Sequence, residues 1–180
     1  MDNLQELFEV TVRFTYNAEK RFLKAMPKLF RAATNEKLKA AIRSELERTP
    51  IYLTRLEQIA KKGNFRPTGK VWKTAKCLVE ENNAQLAGEA HGATLDAAII
   101  VCAQREKHYA ICAYGTLVAW AVELGNPDIT EMLEDTLKEH GDSDELYSKI
   151  ARRINTSANS LIPVLAIPGD TEKVQVVRGA

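Results

Sequence analysis

Residues 94–127 read TLDAAIIVCAQREKHYAICAYGTLVAWAVELGNP. From Thr94 to Leu124 there is no proline and one glycine. Ala98, Val101, Cys102, Ile111, Cys112, Gly115, Val118 and Val122 recur at the spacing of one helix face. Thr94 suits an N-cap, Asp96 suits the first turn, and Gly125-Asn126-Pro127 stops the helix. Gly115 sits mid-helix at a cost of roughly 1 kcal/mol relative to Ala, which predicts a close backbone approach there. A helix of some thirty residues excludes a β architecture for this part of the chain and demands long partners.

The flanking sequence supplies them. A fourth long helix is expected from Asp128 to Ile154, with Ile129, Leu133, Leu137, Tyr147 and Ile150 on its apolar stripe. Upstream, Leu4, Leu7, Phe8, Thr11, Phe14, Ala18, Phe22, Ala25 and Leu29 mark a helix from about Asn3 to Ala33, with Pro27 kinking its last turns. Thr34-Asn35 reads as a turn and N-cap. Leu38, Ala41, Ile42, Leu46, Leu53, Leu56 and Ile59 then mark a helix to Lys62, bent at Pro50 and closed by Gly63-Asn64. Between the two pairs, Phe65 to Leu95 holds Pro67 and Gly69. It predicts two short helices, Val71 to Asn82 and Asn83 to Ala90. Two long-helix hairpins joined by a crossover of roughly 30 residues describe an all-α, ferritin-like four-helix bundle, with its sites between facing helices. The bundle is expected to span residues 1–155, and residues 156–180 to form an extended C-terminal tail.

Composition narrows the class without naming a function. The 180 residues are 45% hydrophobic and 27% charged, ordinary for a folded domain. Lys+Arg number 25 and Asp+Glu 24, a net charge of +1, so no overall excess points to nucleic acid or an anionic membrane. Three cysteines, Cys77, Cys102 and Cys112, form no CxxC and predict a reducing, cytoplasmic setting. Cys102 and Cys112 read as small core residues. No apolar run reaches the roughly 18–20 residues of a membrane span, and the acidic opening MDNLQELFE lacks a signal-peptide core.

Each long helix carries an ionisable group near mid-length, on or beside its inward face. These are Glu19, Glu45, His108 and the pair Glu139-His140. Buried charge is costly unless shared, so four such groups at one level suggest a common polar site. The chemistry would be a dimetal centre, two divalent ions about 3.5–4 Å apart held by carboxylates and imidazoles. The Glu-x-x-His pairs of di-iron bundles are absent. Lys107-His108 and Glu139-His140 are adjacent pairs, whose members diverge by about 100° on a helix.

Several segments resemble the YciF-like family of bacterial stress-response proteins. They are Tyr16-Asn17-Ala18-Glu19-Lys20 with Ala25-Met26-Pro27-Lys28, then Leu38 to Gln58. His108-Tyr109 with Ala113-Tyr114-Gly115-Thr116-Leu117 follows, and Leu133 to Leu137 with Asp144-Glu145-Leu146 completes the set. The resemblance covers residues 4 to 150 in order. It implies a ferritin-like bundle related to rubrerythrin, often dimeric, with a carboxylate- and histidine-rich dimetal site. Glu19, His108 and Glu139 stand where the family keeps Glu, His and Glu. Glu45 replaces a histidine, while Arg48, Lys107, Ala110 and His140 replace acids.

These departures share one electrostatic direction. Arg48 and Lys107 bring fixed positive charge to a place where metals need anionic ligands. The resulting expectation is a stress-response-type protein with a degenerate dimetal site and no resident cofactor, acting as a non-catalytic homodimer through its surfaces. The apolar run Leu161 to Pro168 is the expected contact element, with no nucleic-acid or membrane partner. The alternative is an iron- or manganese-dependent oxidoreductase or peroxide scavenger using Glu19, Glu45, His108 and Glu139.

Overall fold

The computed structural model describes residues 3–160. Five helices follow in order: α1 (Leu4–Ala32), α2 (Glu36–Lys62), α3 (Lys73–Leu86), α4 (Gly92–Glu123) and α5 (Pro127–Asn159). No strand occurs among the described residues, and no helix there is long and apolar enough to cross a membrane. The four long helices have 27 to 33 residues, so each runs roughly 40–50 Å at 1.5 Å per residue.

The helix ends follow from local chemistry. The Asn35 side chain accepts from the amides of Lys37 and Leu38 at 3.0 and 3.2 Å, opening α2. Gly125 takes φ of +69° in the turn from α4 to α5, a backbone region that disfavours a side chain, and Pro127 opens α5. Asp96 fixes the start of α4. Its carboxylate accepts from the Thr34 amide at 2.7 Å and the Thr34 hydroxyl at 2.6 Å, tying α4 to the α1–α2 turn. The crossover therefore carries the chain from the far end of α2 back along the whole bundle.

α1 packs on α2 and α4, α5 packs on α2 and α4, and α3 covers α1 and α4. Two apolar clusters fill the interior. One gathers Phe22, Met26, Leu38, Ile42, Ile99, Ile100 and Tyr147, and the other Phe8, Val12, Leu56, Ile59, Leu117 and Leu133. Along each long helix the positions that feed the two clusters occupy different halves. Trp72 anchors the crossover, its ring 5.1 Å from Phe14 and 4.9 Å from Tyr109.

Several expectations need correction. The crossover holds one short helix, not two: α3 runs without a break across Asn82-Asn83, where the two were expected to divide, and a turn around Gly88 ends it. α4 starts at Gly92, with His91 at the N-cap position but giving no side-chain capping bond, so Thr94 is already helical. α5 continues to Asn159 through residues assigned above to the tail, and Leu161 to Pro168 lies outside the described residues. A Cβ on Gly115 would meet nothing within 4 Å, so no close approach explains that glycine. Cys112 is exposed, whereas Cys102 is buried. Helix continuity through Pro27 in α1 and Pro50 in α2 is compatible with the bends expected there.

Candidate functional site

Between the two apolar clusters lies a layer of buried ionisable side chains. Glu19 of α1, Glu45 of α2, Lys107 of α4 and His140 of α5 are 3, 3, 4 and 1% exposed. Each arrives there because the helix repeat puts it on the same face as its apolar neighbours one turn away. Glu19 precedes Phe22, Glu45 follows Ala41 and Ile42, and Lys107 follows Ala103 and precedes Ala110.

The four groups form one hydrogen-bonded chain. The Lys107 ammonium pairs with the Glu45 carboxylate, and its Nζ lies 3.3 Å from Nδ1 of His140. Nε2 of His140 lies 3.1 Å from Oε1 of Glu19. An ammonium has only donors, so Nδ1 must accept, which leaves the imidazole proton on Nε2 to donate to Glu19. Donation thus runs outward from Lys107 to two carboxylates, directly to Glu45 and through His140 to Glu19. The rings of Tyr52 and Tyr114 flank the imidazole at 4.7 and 5.3 Å and hold its plane.

Burial and charge set the protonation states. Burial raises the Glu45 pKa, but the charge and hydrogen bond of Lys107 outweigh it, and the carboxyl titrates below its ordinary value. Glu106, one residue before Lys107, is also buried, and Asn82 of α3 donates to it at 2.9 Å. Burial dominates there and raises its pKa to about 8; Lys107 and Asn82 oppose the shift, while Glu19 and Glu45 add to it. Near neutral pH Glu106 is mostly protonated. Burial and the Glu19 charge also push the Tyr114 phenol well above its ordinary value.

The residues singled out from the sequence divide cleanly. Glu19 and Glu45 are in the layer, together with Lys107 and His140, which were expected to bring charge to it. His108 points out of the bundle, its side chain 68% exposed, with Nε2 3.5 Å from Asp144. Glu139 forms a two-pronged ion pair with Arg55, both bonds at 3.1 Å, on the rim. Arg48 is exposed. The physical reason is the 100° step between adjacent helical residues: with Lys107 facing the layer, Glu106 on one side turns to Asn82 of α3 and stays buried, while His108 on the other turns to solvent, and Glu139 beside His140 turns to the rim. Glu106 was missed. It neighbours Lys107, and Ala103 and Ala110, one turn to either side, were the available signal.

The donor set does not suit a pair of divalent ions. The ammonium that contacts Glu45 and His140 donates rather than accepts, and its charge repels a cation. Among the described residues, no three His, Cys, Asp or Glu side chains are grouped so as to hold a metal ion.

The profile of one protein family, a domain of unknown function termed DUF892, matches residues 3–159. The chain belongs to this family. It is similar to protein YciF of Escherichia coli K12, with 32% identity over 162 residues, covering 89% of this chain and 98% of YciF. The crystal structure of that Escherichia coli stress protein superposes with a TM-score of 0.83 at 31% identity, covering 87% of this chain and 99% of YciF. A second solved structure, YcfI of Rhodopseudomonas palustris, for which a structural role has been suggested, gives a TM-score of 0.77 at 35% identity. It covers 87% of this chain and 95% of that one. The family and the ferritin-like architecture implied by its residues are thereby secured, and no activity comes with them.

Proposed function

We propose that this family member is a non-catalytic, paired cytoplasmic protein of the stress-response type, with Lys107 standing in its centre where the resemblance implies a dimetal site. The reading rests on one observation. A buried ammonium supplies the positive charge that Glu45 and, through His140, Glu19 require. A covalently built-in cation needs no metal supply and no redox state, so the bundle is held under conditions that would strip or oxidise a metal. The role then falls to the outer surfaces and to pairing with a second copy.

The test is elemental analysis of protein purified without chelator, before and after incubation with ferrous iron and with manganese. Well under one equivalent per chain is expected, with a melting temperature indifferent to chelator. One or more firmly held equivalents would overturn the reading and restore the oxidoreductase alternative.

A further inference from the structure

The net charge of +1 conceals a strong segregation. Residues 20–35 contain Lys20, Arg21, Lys24, Lys28 and Arg31 and no acid, and residues 58–79 contain Lys61, Lys62, Arg66, Lys70, Lys73 and Lys76 and no acid. These two stretches hold eleven of the 25 basic residues. The remainder of the chain carries 14 against all 24 acids, a formal −10.

The fold brings the two acid-free stretches together. The second half of α1 forms one wall of a groove, and the crossover with the start of α3 forms the other. Two adjoining depressions of about 280 and 340 Å³ share Arg21 and Lys24. Lys20 and Lys70 line the first, Lys28 and Lys76 the second. The sole acid lining them is Glu80, already 3.5 Å from Lys76. Lys20, Lys24 and Lys28 follow one another at i, i+4 and so stand about 6 Å apart along the helix. Lys28 reaches Asn83 across the groove at 2.8 Å, while Lys24 and Lys70 have no anionic partner among the described residues.

We propose that this groove seats the phosphate backbone of double-helical nucleic acid without reading its sequence. The one ring on the groove wall, Tyr16, is 8% exposed and covered by Lys20 at 5.5 Å, and Ala25, Pro67 and Val79 add only small apolar side chains, so the surface lacks a large anchor for a protein partner and its lysines offer counterion-releasing phosphate contact. Single strands would need exposed rings to stack on, and Trp72 is occupied by Phe14 and Tyr109. A membrane surface would reward an apolar wedge, and the neighbouring exposed Val71 is a single side chain. The small net charge speaks against nucleic acid only while charge is taken as evenly spread.

The experiment is fluorescence anisotropy of a labelled mixed-sequence DNA duplex of about one to three helical turns with the full chain, at about 50 and 200 mM salt. Wild-type protein is expected to bind at low salt and to weaken on the order of 10²–10³-fold between the two. The triple variant Lys24→Gln, Lys28→Gln, Lys70→Gln should lose affinity at least about tenfold, and its log–log salt slope should flatten by roughly 2–3. Lys138→Gln with Lys149→Gln, on α5, should bind as wild type. All substituted side chains are exposed, and an unchanged thermal melt confirms the fold. Absence of duplex binding at the lower salt, equal binding by the groove variant, or preference for vesicles containing anionic lipid would each overturn the proposal.

Discussion

Two neighbouring regions of this bundle use the same residue types to opposite ends. Inside, Glu45, Lys107, His140 and Glu19 form a dry chain across four helices. On the rim of the same helices, Arg55 clasps Glu139, and His108 faces Asp144. Lys107 and His108 are adjacent in sequence, as are Glu139 and His140, yet one of each pair is buried and the other is not. A rotation of 100° decides whether a charge is bound into the core or merely ornaments the surface. The energetics differ accordingly. Breaking a buried pair strands a charge, at about 3–5 kcal/mol, while an exposed or half-exposed pair contributes about 0–1 kcal/mol.

Lys107→Met should break this contrast most severely. It removes the ammonium and leaves Glu45 buried without its partner, for an expected loss of about 3–5 kcal/mol. For a chain of this size that corresponds to a melting temperature lower by roughly 10 °C. Adding Glu45→Leu should restore much of it, because a volume-matched apolar pair avoids the desolvation of both charges. Thermal denaturation of the single and double variants checks both statements. A single variant as stable as wild type would mean that Lys107 does not anchor the layer.

Glu106 sharpens the comparison from the other direction, as a buried acid with no cation of its own. Its native pKa of about 8 lies above its ordinary value of 4.5. Between those values the native state keeps a proton that the unfolded chain has released. Stability contributed by Glu106 is therefore present at acid pH and lost as pH rises toward about 8. Glu45, shifted downward, contributes in the opposite sense: its share is present above its ordinary pKa and lost as pH falls through the native one. Glu106→Gln keeps an acceptor for Asn82 and removes the titration. Melts from pH 4.5 to 9 should show the variant matching wild type at the acid end and exceeding it by several degrees at the alkaline end. A pH-independent gap would place the origin of the effect elsewhere.

These contrasts also explain how far the sequence could be read. Asn35, Gly125 and Pro127 carry their structural signals in local chemistry, so the turns they make were legible. The apolar stripes and the long crossover fixed the topology, because nothing but a bundle buries four such faces. The identity of the inward residue was a finer matter. With stripe positions uncertain by one residue, Lys107 and His108 exchange places, and the family pattern favoured His108. Only packing against Ala110 and Tyr114 on one side and Ala103 on the other sets the rotation. Glu106 was hidden because a buried neutral acid looks the same in sequence as a surface glutamate. Gly115 misled in the reverse way, since a missing side chain announces a close approach that nothing here makes. The basic groove was obscured by averaging, the 24 acids elsewhere cancelling it in the sum.

On the rim the expected effects are small. Glu139→Gln weakens the clasp with Arg55 but spares the 3.0 Å bond from Arg55 to the Thr136 hydroxyl. A loss of at most about 1 kcal/mol is expected, falling further as salt screens the pair. Chemical denaturation at low and high salt checks it. A loss comparable to that of Lys107→Met would join Glu139 to the interior layer.

His108→Ala is the smallest effect and the sharpest discriminator of register. The imidazole pairs with Asp144 at 3.5 Å and its side chain is 68% exposed, so stability should change by no more than about 0.5 kcal/mol. His140→Ala, one helix over, removes a 1%-exposed side chain packed between Tyr52 and Tyr114 and strands Glu19 without its donor. Its cost should be several-fold larger, by cavity and by orphaned carboxylate together. Denaturant unfolding of the two variants side by side measures the ratio. Similar costs would mean that α4 and α5 are turned by one residue from the arrangement described, returning His108 and Glu139 to the core and Lys107 and His140 to solvent. Because both helices must turn together to keep their shared contacts, this single ratio tests the whole inward set at once.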